Sequence, residues 1–503
     1  MDTNGSHVRE LRASWVLQAC AVALTIPLLV EIFLASRWPL VHDAPILHYI
    51  VFLMSKGFIP YIDIVDMNSP GAYLLESLGM HLFGGDARGW FLWDLAGAGM
   101  VIFGSAWVAG PGRRAAGVMA GSLTTIIHLA DGASNIGQRD WIVAGLLLLS
   151  FGCIFQMLRG GHAAWLGGAA FFVAVAATVK PPAILFGFLV LGSLASSGCK
   201  EPRRAFWWSM GGFLAPVAVV GCFLVKWHAL DGFIAALTGL IPCYASLQET
   251  SLLGLIGAML GRLDLLFLAL ALVAFCMFLL RRGWSSYASA ALLLGALAAI
   301  AYYVWQDKGW AYHRYPAVAF GSLFMVMEME RGIRAAGARA RIAWPALAVL
   351  AILLPCAALA RERKSTYRMG TLLHLQADLT RLGGPQLSGR IQCLDMTHGE
   401  CINALYRLQL VQSTGFIYDF VLFPERSTAV TDALQSRFMR LISARPPCVF
   451  VLSEQDWPGG GRGYAQLMRW PAFAQFLQQN YALETQHDEG PADMSGYRIY
   501  VLR

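Results

Sequence analysis

The chemistry open to this chain is concentrated in short polar islands between long apolar runs. The first island, "VHDAPILHYIVFLMSKGFIPYIDIVDMNSPGAYLL" at 41–75, holds the carboxylates Asp43, Asp63 and Asp66. A carboxylate beside a bound hydroxyl can take its proton as the oxygen attacks, a contribution of roughly 10²- to 10⁴-fold. Asp43 is the candidate base, although a residue that opens a helical stretch can equally serve as its cap. Asp63 and Asp66, three residues apart, either share a helical face as further candidates or bind backbone amides of their own loop. The other islands supply cations: Arg139 in "GQRDW", Lys180 in "VKPP", Lys308 in "QDKGW" and Arg314 in "YHRYP" all fall at the ends of apolar runs. Fixed positive charge there can hold an anion beside hydrocarbon.

These groups must be positioned by a membrane bundle. With 57% hydrophobic and only 14% charged residues over 503 positions, the chain has more apolar surface than one soluble core can bury. Roughly 20 apolar residues cross a bilayer as a helix, and about eleven such spans are expected, near 14–36, 88–109, 115–130, 140–158, 163–178, 182–197, 206–227, 260–280, 286–304, 316–329 and 342–360. The first is long for a cleaved signal and is read as a retained anchor. Basic loops ("HVRELR", "PGRR", "RGGH", "CKEPRR", "RRGW", "ERGIRAAGARAR") all fall on one side of this count, which makes that side cytoplasmic and the N-terminus with it. The net charge of +7 is then a topology signal, and no nucleic-acid partner is expected. The polar islands, including a structured, membrane-hugging loop at 37–87, share the opposite side.

Composition changes after residue 360, so two domains are expected: 1–360 in the membrane and 361–503 as a soluble, extracytoplasmic α/β domain. Strand-like runs "GRIQCLDM", "GFIYDFVLF", "PPCVFVLS" and "GYRIYVLR" alternate there with helical stretches near 366–382, 430–444 and 462–480. Seven of the ten cysteines lie in or beside apolar spans; Cys393 and Cys401 can pair in an oxidising compartment, with Cys448 competing.

The order of "HD" at 42–43, "GFIPYIDIVDMNSPGAYLL" at 57–75, "GQRDW" at 137–141, "VKPP" at 179–182 and "YHRYP" at 312–316 resembles the GT-C superfamily of membrane glycosyltransferases, the protein O-mannosyltransferase and aminoarabinose transferase group. The resemblance implies a polytopic α-helical GT-C fold and a polyprenyl-phosphate sugar as donor. It also implies transfer with inversion to an acceptor hydroxyl, with the base role falling on Asp43. The Asp-Glu pair common in that loop is absent, since Ala44 follows Asp43.

On this reading Lys180, Arg139, Arg314 and Lys308 hold the donor phosphate, with snorkelling the alternative for Lys180 and an ion pair to Asp140 the alternative for Arg139. Tyr312, His313 and Tyr315 contact sugar or acceptor or form an aromatic belt; Gln138, Asp140 and Asn68 complete the expected contacts. Glu31 and Asp94, inside spans, are further candidates for the cavity wall. No metal is expected, because there is no Asp-x-Asp and a phosphate monoester needs less neutralisation than a diphosphate. The expected partners are the lipid-linked donor, membrane lipids and a glycan, lipid or protein acceptor. Two other classes compete: a transporter or flippase, which calls for polar mid-membrane residues and paired broken helices, and a non-catalytic component of polysaccharide assembly.

Overall fold

A computed structural model describes residues 3–196, 199–247, 249–261, 265–335, 370–395, 400–454, 464–488 and 496–503. The apolar runs form helices, since in hydrocarbon a helix satisfies its backbone groups internally. In order these are α1 (Thr3–Ala35), α2 (Ala44–Ser55), α3 (Pro70–Phe83), α4 (Ala87–Ala109), α5 (Arg114–Ala130), α6 (Arg139–Leu158), α7 (Ala164–Val179) and α8 (Leu185–Leu194), followed by α9 (Pro202–Lys226), α10 (Leu230–Ala235), α11 (Ile241–Ser246), α12 (Leu252–Gly261), α13 (Leu265–Leu280), α14 (Tyr287–Trp305) and α15 (Tyr315–Ala335).

Among the described residues five helices are long and apolar enough to cross a membrane: Gln18–Ala35 within α1, α4, α6, α9 and α14. Each expected span up to 316–329 falls on a helix, the run at 260–280 being divided between α12 and α13. The expected span at 342–360 lies outside the described residues. Helices α4 to α7 and α9 pack in neighbouring pairs, and α15 closes the bundle against α5, α6, α13 and α14. The loop expected to hug the membrane forms the helices α2 and α3, and α2 is buried along nearly its whole length, between α3 and a helix from the far end of the chain.

That far end is a mixed sheet with helices. Strands β1 (Ile391–Leu394), β2 (Val449–Ser453), β3 (Tyr481–His487) and β4 (Tyr497–Leu502) lie in the order β1-β2-β4-β3, with β1 and β2 parallel and the other pairs antiparallel. Helices α16 (Gly370–Arg381), α17 (Cys401–Arg407), α18 (Ala429–Ala444) and α19 (Pro471–Asn480) accompany it. Cys393 on β1 is bonded to Cys401 at the start of α17, while Cys448 is free. Three of the four expected strands form. The fourth, "GFIYDFVLF" at 415–423, is irregular, and β3 stands where no strand was expected.

This unit is fastened to the first loop. Asn403 on α17 donates to Leu40 O at 2.9 Å, Tyr406 donates to Gly85 O at 2.8 Å, and Tyr49 on α2 donates to Leu410 O at 3.0 Å.

Candidate active site

At one end of the bundle the turns α1–α2, α3's approach, α5–α6, α7–α8, α9–α12 and α14–α15 meet around a cavity of about 650 Å³. Asp43 stands at its wall. It sits just before α2 but makes no side-chain cap bond. Its Oδ2 instead accepts from Gln138 Nε2 and from Tyr312 Oη, both at 3.2 Å, and its Oδ1 lies 3.3 Å from His42 Nδ1. His42 is held in the left-handed region at φ 63°, a strained conformation for a residue with a side chain, of the sort that accumulates at functional sites. Burial by itself would raise the Asp43 carboxyl; the charge and hydrogen bond of His42, with Arg139 and Gln138, outweigh it and hold the acid well below the usual carboxylate range. Burial opposes charge on His42 too, yet Asp43 and then Glu400 raise it above its ordinary value.

The cations are set by neighbouring turns. Lys180, at the break between α7 and the Pro181–Ile184 turn, donates to Gln306 Oε1 at 3.1 Å and pairs with Asp140 Oδ2 at 3.2 Å. Asp140 is fully buried and also accepts from Tyr302 at 2.6 Å and Gln306 at 3.1 Å. It therefore anchors Lys180, and does not pair with Arg139. Arg139 donates through Nη1 to Asn68 Oδ1, while its buried Nε has no hydrogen-bond partner. His313 likewise lines the cavity with a buried Nδ1 that has no partner; burial, then Lys180, push it down to about 3, so it is neutral. Buried polar atoms without partners are uncommon in folded proteins.

Several expected site residues stand elsewhere. Asp63 accepts from Ile59 N at 2.8 Å and closes its own loop. Asp66 is buried behind the cavity, accepting from Tyr73 Oη at 2.5 Å and from Asn68 Nδ2 at 2.9 and 3.0 Å; burial raises it above its ordinary value, against those bonds and Arg139. Because a carboxylate offers only acceptors, it fixes the Asn68 amide with its oxygen toward Arg139. Arg314 is buried and committed to Asp131, at 2.6 and 2.7 Å, and Tyr315 packs against His128 and Trp141. Neither lines the cavity. Tyr312–Arg314 form a 3-10 turn ahead of α15, in which successive residues rotate by about 120°; Tyr312 and His313 face the cavity and the next two face the bundle. Lys308 lines it but donates to the carbonyls of Ala245, at 2.8 Å, and Leu247. Asp94 is not on the wall either: it contacts His128 at 3.0 Å and accepts from Gly137 N at 2.8 Å. Gly137, at φ 67° and with Trp90 Nε1 only 1.8 Å from where a Cβ would stand, admits no side chain. This clamp aims Gln138 and Arg139.

No family model and no curated protein matches the sequence. Solved structures do match in shape. Over 95% of this chain and 97% of the other, the chain superposes on ArnT from Cupriavidus metallidurans bound to undecaprenyl phosphate, with a TM-score of 0.57 at 13% identity. Over 93% of this chain and 73% of the other, it superposes on the Archaeoglobus fulgidus oligosaccharyltransferase tethered to an acceptor peptide, with a TM-score of 0.53 at 12% identity. Both are GT-C glycosyltransferases. This chain has the GT-C fold.

Within that GT-C architecture the sequence-derived islands converge, since Asp43, Asn68, Arg139, Lys180, Lys308, Tyr312 and His313 all line one cavity. Sequence reasoning missed Tyr244, Tyr418 and Phe420, which line it too. Tyr418 and Phe420 lie in the run expected to be a strand, and only its failure to pair reveals them.

Proposed function

We propose that this chain is an inverting glycosyltransferase that moves a monosaccharide from a polyprenyl phosphate to a hydroxyl of an envelope glycan, lipid or protein. The observation that carries this reading is the cavity itself, in which an ionised Asp43 shares a wall with Arg139, Lys180 and His313, and the buried Arg139 Nε and His313 Nδ1 have no hydrogen-bond partner among the described residues. Undecaprenyl phosphate in the superposed ArnT supports a lipid-phosphate donor. Basic loops at the far end of the bundle and a Cys393–Cys401 bond support an outer-face, extracytoplasmic site in a bacterial inner membrane.

The donor phosphate sits against Lys180 and Arg139, whose charges neutralise the leaving group as it departs. The acceptor hydroxyl sits against Asp43. Its oxygen bonds to the anomeric carbon as the bond from that carbon to the phosphate oxygen breaks; the electron pair stays on the polyprenyl phosphate, and the proton passes to Asp43 and on to water. A carboxylate held this acidic takes the proton late, once bond formation has made the hydroxyl acidic. One displacement from the opposite face inverts the anomeric centre.

The test is transfer by purified protein in nanodiscs, given a panel of polyprenyl-phosphate monosaccharides and envelope extract. Transfer by wild type that is lost in a folded Asp43→Asn variant is expected. Transfer unchanged in that variant moves the base elsewhere, and no transfer from any donor returns the chain to the transporter or assembly readings.

A further inference from the structure

One part of the cavity wall comes from beyond residue 400. The run 415–423 lies against the first loop, its backbone fixed from several sides. Val65 N donates to Gly415 O at 2.9 Å. Phe416 O accepts from Gln392 Nε2 and from Gln412 Nε2, both at 3.1 Å, and Thr414 donates to Gln392 Oε1 through N at 3.0 Å and Oγ1 at 2.7 Å. Two buried glutamines are costly unless bonded, so their joint satisfaction specifies this path. Tyr49 adds a bond from Gln412 N at 2.9 Å. A Cβ at position 415 would stand 1.8 Å from Asp63 O, so only glycine lets the segment lie on the Asp63–Asp66 loop.

The path ends with Tyr418 and Phe420 in the cavity. Phe420 packs on Tyr244, ring centroids 5.7 Å apart. Tyr418 Oη accepts from Asn68 Nδ2 at 3.4 Å, and Asn68 in turn accepts from Arg139. The tyrosine keeps its own O–H to donate. In the transfer proposed above, on which this inference rests, the sugar must lie between the hydroxyl at Asp43 and the phosphate at Arg139 and Lys180. Both rings line the cavity that contains that space.

We infer that Tyr418, backed by Phe420, is a specificity-determining contact to the transferred monosaccharide, so that the C-terminal region reads which sugar the lipid carries. A site that hydrogen-bonds a substrate hydroxyl discriminates sharply against analogues lacking it.

The test compares full-length wild type, Tyr418→Phe and Phe420→Leu for kcat/KM across the donor panel, with inhibition by bare polyprenyl phosphate measured alongside. Tyr418→Phe is expected to narrow the preference between the best and next donor by roughly tenfold, the effect of one neutral hydrogen bond, with inhibition by the bare lipid unchanged. Phe420→Leu should lower kcat/KM for every donor while leaving that inhibition alone. Unchanged preference in Tyr418→Phe, or weaker inhibition by the bare lipid in step with the loss, would overturn the inference while the transferase reading stands. Absence of transfer by wild type itself removes both.

Discussion

The two ends of the bundle treat charge in opposite ways. At the end bearing the basic loops, Glu328 meets Arg281 and Arg331, and Glu330 meets Arg113 and Arg334; Arg331 also donates to Ser289. At the cavity end, Arg139 and His313 keep buried nitrogens without a partner, and the Asp43 carboxylate accepts only from long contacts. The same residue types do both jobs. At the basic-loop end the charges pair with one another across helices, whereas Arg139 and His313 line the cavity with nitrogens that no group among the described residues takes up.

The sharpest way to break this comparison is at Asp43. Asp43→Asn keeps the volume and removes the proposed base, and should lower transfer by about 10²- to 10⁴-fold with an unchanged thermal unfolding midpoint. Next is the opposite end. Glu328→Ala strands two arginines and should cost about 3–5 kcal/mol of stability, read as a lower unfolding temperature in detergent, while the folded fraction keeps its specific activity. If Glu328→Ala instead impaired turnover selectively, the contrast between the ends would fail.

Lys180→Met should raise the donor KM by roughly 10- to 100-fold, the value of a charge-assisted contact. Because it also strands Asp140, the Asp140→Asn/Lys180→Met double variant should recover stability without recovering donor binding.

The pH profile gives a smaller and more diagnostic shift. In the proposed transfer, activity needs ionised Asp43, a form present above its pKa and lost as pH falls through it. Since that pKa is depressed in the folded protein, the acid limb should lie below the ordinary carboxylate value near pH 4. The groups facing it are His42, Gln138, Arg139, Tyr312 and, through His42, Glu400. His42→Ala removes the charge that lowers it, so the limb should move up. The smallest expected effect is that of chelator: transfer in excess EDTA should match transfer without it, and restoration by added divalent metal would contradict a site neutralised by Lys180 and Arg139 alone.

Much of the membrane part was legible because hydrophobic runs and loop charge are local signals. The run lengths located the helices, and the parity of basic loops put every cavity-lining island on one end. The aim of individual side chains was not legible. In "YHRYP" the first two residues face the cavity and the next two face α5 and α6, a matter of helical rotation at a junction whose phase no pattern fixes. The sequence offers Asp66 as a further candidate base, yet its partners Tyr73 and Asn68 place it behind the cavity as a group that orients Asn68, and those contacts exist only after α3 packs. The strand expected at 415–423 had the right composition, but Gln392, Gln412 and Val65 supply its hydrogen bonds in place of a neighbouring strand. Contacts between residues 350 apart, such as Asn68 with Tyr418, leave no mark on a local window.

That last separation sets an order of events. During synthesis, which adds about 5–20 residues per second, Asp43 leaves the ribosome early, and α2 and its loop wait for Leu410, Gly415 and Tyr418 to be made before their wall is complete. The nascent chain therefore carries Asp43 well before the wall around it is finished. The cavity wall is complete only once Tyr418 and Phe420 have been made, long after the helices that carry the rest of it.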